Sequence, residues 1–115
     1  LTLVLSAPSV TGPRPGDAIA HRTWLLGPGN PHLIDSFIYE HRWSYAIDTF
    51  GSVHTNSPDG TVYLGYQPDN PNADTWTIAV VGTSLHPGWK AVFDRETPAE
   101  LVLDLLNAML NRTTR

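Results

Sequence analysis

Cysteine is missing altogether from these 115 residues. Its absence excludes disulfides, thiolate nucleophiles and any zinc site built on thiolates, and it argues against a small secreted domain held by disulfide staples. The same absence fits a cytoplasmic protein, which is the location expected. Charge is also scarce, at 16% of residues, with seven Lys and Arg against eleven Asp and Glu and a formal net charge of -4. A strong non-specific grip on phosphates needs several cations to displace counterions, so only one local basic patch is open to this chain. No apolar run approaches the eighteen or so residues that span a bilayer, and no membrane partner is expected. What is present is 41% apolar residues, enough for one globular domain with a single core.

Residues 1–23 read as an N-terminal extension or linker, and residues 24–112 as the domain. Leu1, Leu3 and Leu5 alternate as in a strand or ordered tail, without the charged start of a signal sequence. The stretch "SAPSVTGPRPGDAIA", residues 6–20, has three prolines and two glycines among small residues and cannot bury enough apolar area to order itself. Trp24-Leu25-Leu26 suggests a brief strand or extended lead-in before Gly27-Pro28-Gly29.

Asn30-Pro31 supplies an N-cap and a first helical residue, and Leu33, Ile34, Phe37 and Ile38 follow at helical spacing to about His41. The period then changes to two. Trp43, Tyr45 and Ile47 share one face of a strand, with Ser44, Ala46 and Asp48 on the other. Further strands are expected at Ser52–Asn56, Thr61–Tyr66, Thr75–Val81 and Trp89–Asp94, parted by turn chemistry such as Ser57-Pro58-Asp59-Gly60. Within Thr61–Tyr66, alternation sets Val62, Leu64 and Tyr66 against Thr61, Tyr63 and Gly65. Thr97-Pro98-Ala99-Glu100 has the form of a capping box, opening a helix to about Asn111 with an apolar stripe of Leu101, Val102, Leu105, Leu106, Met109 and Leu110. The fold class expected is α+β: an antiparallel meander of four to five strands, with a short N-terminal and a longer C-terminal helix packed on one face.

Three segments, "WLLGPGNPHLIDSFI", "NSPDGTVYLGY" and "PGWKAVFDRETPAELVLDLLNAML", resemble in order and spacing the domain of unknown function family 317 of actinomycetes, especially Streptomyces. The resemblance runs from about Trp24 to Leu110. It implies a compact domain that often occurs in tandem copies, and it brings no catalytic residues with it. A sheet followed by a C-terminal helix is also similar in element order to the Whirly-type single-stranded DNA binders, which oligomerise through such helices.

The loop Gly27-Pro28-Gly29-Asn30 stands before a helix start, where backbone N–H groups can bind an anion, but the same residues serve an ordinary turn and cap. His21, His32, His41, His54 and His86 show no metal-ligand spacing, and Ser84 with His86 lacks the context of a nucleophile and its base. Asp35, Glu40, Asp48, Asp59 and Asp94 read as solvated or turn carboxylates. No metal, cofactor or catalytic residue is expected. Trp43, Trp76 and Trp89 read as core. Tyr45, Tyr63 and Tyr66 are candidates for a base-stacking platform, with Arg42, Lys90 and Arg95 meeting phosphates, and Tyr63 is singled out because Thr61 and Gly65 leave its face small and polar. Asn111-Arg112-Thr113 matches a glycosylation pattern and is expected to be accidental.

The function expected is therefore a non-catalytic binding module, nucleic-acid-associated through an open sheet face. The alternative is a protein interaction or oligomerisation module within a larger chain, with the C-terminal helix as the homo-oligomer contact.

Overall fold

The computed structural model describes residues 19–112. The expected strand at Leu1–Leu5, residues 6–18 of the expected linker, and Thr113 of the glycosylation pattern lie outside them. Helix α1 spans Leu33–His41 and helix α2 Ala99–Leu110; between them strands β1 (Ser44–Ile47), β2 (Val53–Asn56), β3 (Val62–Tyr66), β4 (Trp76–Val80) and β5 (Trp89–Phe93) follow in order. Each strand pairs antiparallel with the next, so spatial order equals chain order and β1 and β5 are the two edges. The fold is α+β.

Register assigns every strand residue to a face, because cross-strand partners point the same way. The rows Tyr45–Thr55–Leu64–Ile78–Ala91, Ile47–Val53–Tyr66–Trp76–Phe93 and Val62–Val80–Trp89 lie on the helix side. Leu64, Trp76 and Ile78 from these rows form one buried cluster with Ile34, Phe37 and Ile38 of α1, Trp43, and Val102, Leu103 and Leu106 of α2. The rows Ser44–Asn56–Tyr63–Ala79–Lys90 and Ala46–His54–Gly65–Thr77–Val92 form the opposite, open face.

The turn between β2 and β3 is held by side chains of the Ser57-Pro58-Asp59 sequence. The Ser57 hydroxyl donates to Asp59 (2.8 Å) and accepts the N–H groups of Thr61 (3.1 Å) and Val62 (3.0 Å), while Thr61 donates its own hydroxyl to Asp59 (2.7 Å). Hydrogen bonds from Thr61 and Ser57 hold the Asp59 carboxyl below the usual carboxylate range.

Several local expectations are corrected. Trp89, read as core, is 49% exposed at the β5 edge. Thr23–Leu25 form a single 3-10 turn rather than an extended lead-in. The capping box does not form: Pro98, not Thr97, precedes the first helical residue of α2, and no side chain caps it. The Glu100 carboxylate instead accepts the N–H of Asn30 (3.2 Å), while the Ala99 N–H donates to the Pro28 carbonyl (2.9 Å). A tertiary partner has outcompeted the local one. The buried stripe of α2 is also rotated from expectation, with Leu103 only 6% exposed and Leu105 38% exposed.

Asn30-Pro31, expected as N-cap and first helical residue, do not take those places: α1 begins at Leu33 with His32 before it and no side-chain cap. Asn30 leads in through a tighter turn. Its side-chain oxygen accepts the His32 N–H (3.1 Å), and the Leu33 N–H bonds back to the Asn30 carbonyl (3.2 Å) before the α-helix begins. Gly29 has φ +68, and a Cβ there would run into the Glu100 carboxyl and the Ala99 nitrogen. That residue lets the loop close on α2. No helix among the described residues is long and apolar enough to cross a membrane.

Candidate functional site

On the open face, alternation and register bring together three polar side chains. His54 pairs across the sheet with Gly65, and the Tyr63 ring lies over that glycine, where a Cβ would collide with it. The Tyr63 hydroxyl thus reaches Nδ1 of His54 at 2.7 Å, while Nε2 of His54 lies 2.8 Å from Asp48 Oδ2. A carboxylate only accepts, so a neutral His54 donates from Nε2 and takes the phenol's proton donation at Nδ1. Asp48 Oδ1 accepts the N–H groups of Phe50 (2.8 Å) and Ser52 (3.0 Å), which shapes the β1–β2 turn. The His54 hydrogen bond, larger than the opposing effect of desolvation and aided by the Ser52 and Phe50 N–H groups, holds the Asp48 carboxyl below its ordinary range.

Burial and the nearby Asp48 charge push the Tyr63 phenol up, so it stays protonated and its hydroxyl is committed inside the relay. Chemically this is a hydrogen-bonded chain of aspartate, imidazole and phenol. It rests on an open sheet rather than in a cleft: neither His54 nor Tyr63 lines the groove described next or either of two smaller clefts. Its visible work is to fasten the β1–β2 turn to β3.

The helix side carries the larger concavity. A groove of about 730 Å³ runs between α1 and the β1 edge, lined by Ile38, Tyr39, Trp43, Tyr45, Ile47 and Val53 together with the charged Asp35, Glu40 and Arg42. All four residues of β1 are exposed. Tyr45 is 64% and Ile47 55% exposed although both point to the helix side, and Tyr39 on α1 is 85% exposed beside them. The helices cover β2 to β4 and leave this margin of the sheet bare.

The six residues proposed for nucleic acid fall in different places. Tyr63 and Lys90 share one row of the open face. Tyr45 and Tyr66 are on the helix side, where Tyr66 packs on Trp76 with ring centroids 4.3 Å apart, and burial pushes its phenol up. Arg42 ends α1 in a left-handed conformation, φ 59. Arg95 follows β5 and donates to the Pro68 carbonyl (2.9 Å). The loop before α1, considered for an anion, has its Asn30 N–H occupied by Glu100. The C-terminal helix, considered as an oligomer contact, turns most of its apolar residues into the core. Among the described residues no group of three or more His, Asp or Glu is arranged to hold a metal.

In sequence alone Asp48 reads as a solvated or turn carboxylate and His54 shows no metal-ligand spacing, and so the two are not joined. The signal lay in the Ser57–Gly60 turn: pairing outward from it sets Asn56 opposite Tyr63 and His54 opposite Gly65, one diagonal step from the phenol.

A family model described as SPDY, a domain of unknown function (DUF317), matches residues 56–114, just over half of the chain. The chain belongs to the SPDY family. No curated protein and no solved structure matches it. The SPDY match takes in β3, β4, β5 and α2, whereas α1, β1 and nearly all of β2 precede it. The groove is therefore formed by the part of the chain that lies before the shared SPDY region.

Proposed function

We propose that this SPDY domain is a protein interaction module that accepts an extended polypeptide segment along strand β1. The observation that carries this reading is the bare β1 margin, with Tyr45 and Ile47 exposed on the face that is core over β3 and β4. An edge strand is a template for pairing, and proteins that leave an edge unpaired protect it with charge, proline or a bulge. Ser44-Tyr45-Ala46-Ile47 has none of these. Strand addition would use the backbone for affinity, and the adjoining groove for selection of alternate apolar side chains.

The test is selection from a displayed library of random extended peptides, with wild type and Ile47→Lys as paired baits. Enrichment of peptides with alternating apolar residues that are lost on Ile47→Lys supports the reading. No enrichment, or enrichment indifferent to Ile47→Lys, overturns it.

A nucleic-acid reading draws on Tyr63 and Lys90, which share one row of the open face. Fluorescence anisotropy with labelled oligonucleotides tests it. Binding at low salt that weakens with added salt and with Lys90→Ala is the result it requires.

A further inference from the structure

We infer that the segment β1 accepts is the β1 strand of a second copy of this chain, joined antiparallel across a twofold axis at Ala46. The inference rests on the interaction role proposed above, and it is argued from which backbone groups the edge leaves free.

The β1–β2 hairpin closes with the Asp48 N–H bonded to the Ser52 carbonyl (3.1 Å). Antiparallel ladders alternate, so Ala46 and Ser44 also turn their N–H and C=O groups toward β2, opposite His54 and Asn56. The Thr55 hydroxyl, which donates to the Ser44 carbonyl at 2.6 Å, agrees with that direction. Tyr45 and Ile47 consequently present their N–H and C=O groups outward.

Two outward residues separated by one inward residue are self-complementary. With the axis at Ala46, Tyr45 of each copy exchanges both backbone hydrogen bonds with Ile47 of the other, about four bonds in all. On the helix side each Tyr45 ring then stands beside an Ile47 side chain, an aromatic and β-branched pair of the kind that stabilises sheets. Only the small Ala46 side chains meet at the axis, on the open face.

The same operation sets the two α1 helices antiparallel on one side of the enlarged sheet, and the two grooves merge along the seam. Among the described residues Arg42 has no ion-pair partner. Antiparallel α1 helices bring the Arg42 end of each copy toward the Asp35 end of the other, so charge complements across the axis as shape does. The opposite edge offers no such match: β5 carries Lys90 and runs into Asp94-Arg95-Glu96.

Because the chain has no cysteine, single-cysteine variants report the contact directly. Ala46 residues across a non-hydrogen-bonded pair would have Cα atoms about 4.5 Å apart, within reach of a disulfide. Ala46→Cys should therefore give a covalent dimer under mild oxidation, and Lys90→Cys should not. Sedimentation should find a dimer that Ile47→Lys weakens about tenfold or more, with unchanged far-ultraviolet circular dichroism. Arg42→Gly, which suits the left-handed backbone at that residue, should reduce the salt dependence of association. A strict monomer without the Ala46→Cys crosslink overturns the inference, as does a dimer that crosslinks through Lys90→Cys or ignores Ile47→Lys. If the chain is monomeric yet selected peptides still depend on Ile47, the second-copy inference fails alone and the strand-addition reading stands.

Discussion

Asp48 joins a turn, a histidine and, through that histidine, a tyrosine, so its ionisation bears on stability. Its folded-state pKa is depressed, and hence its contribution is present above the unfolded carboxylate pKa and lost as pH falls through the folded value. Asp59 has the same sign. Urea midpoints should therefore fall as pH drops below about 5 and through the depressed folded values, and the fall should be smaller in Asp48→Asn, with the share due to Asp59 remaining. Tyr63→Phe tests the other end of the relay. Loss of the phenol's donation to His54 should cost about 1 kcal/mol in urea denaturation, and a change within experimental error would show that the relay is not coupled to folding. Alternation alone placed Tyr63 opposite Tyr66, because parity along a strand needs no tertiary information. The hydrogen bond to His54 depends on pairing between strands, which parity within one strand does not express.

At the scale of elements, the two leucines on α2 that exchanged places make a direct comparison. Leu103→Ala should destabilise by about 2–4 kcal/mol, in the range of buried leucines, and Leu105→Ala by under about 1 kcal/mol. Equal losses in chemical denaturation would contradict the observed rotation of the helix. Thr97→Ala should cost less than the roughly 1 kcal/mol of a true N-cap. Gly29→Ala should cost about 1–2 kcal/mol because of its left-handed backbone, plus whatever the displaced Glu100 contributes. In a double-mutant cycle, part of that loss should vanish when Glu100 is already alanine. The strands were legible nearly to the residue, since turn residues bracket each alternating run. The start of α2 was not, because Thr97-Pro98-Ala99-Glu100 is a sound local cap whose glutamate is taken by a backbone group 70 positions away. Nor was the groove: Tyr45 and Ile47 alternate identically whether or not a helix lies above them.

For the whole molecule, the limits of the SPDY match and of the core do not coincide. Ile34, Phe37, Ile38 and Trp43 belong to the buried cluster although they precede residue 56. A fragment of residues 56–112 would lose them and would turn β3 into an edge. It should show no cooperative thermal transition and little amide dispersion by NMR; a folded fragment would mean that α2 and three strands suffice. Chain order in the sheet also shapes the folding reaction. Every hairpin of the meander closes a short loop, which is entropically cheap and fast. The Asn30–Glu100 clasp closes a loop of 70 positions and gains nothing until the sheet and both helices are in place. Substitutions at the clasp should therefore accelerate unfolding and leave the refolding rate almost unchanged. A chevron plot of Glu100→Ala would show it as a raised unfolding arm over an unaltered folding arm, the mark of a latch fastened after the folding barrier is crossed.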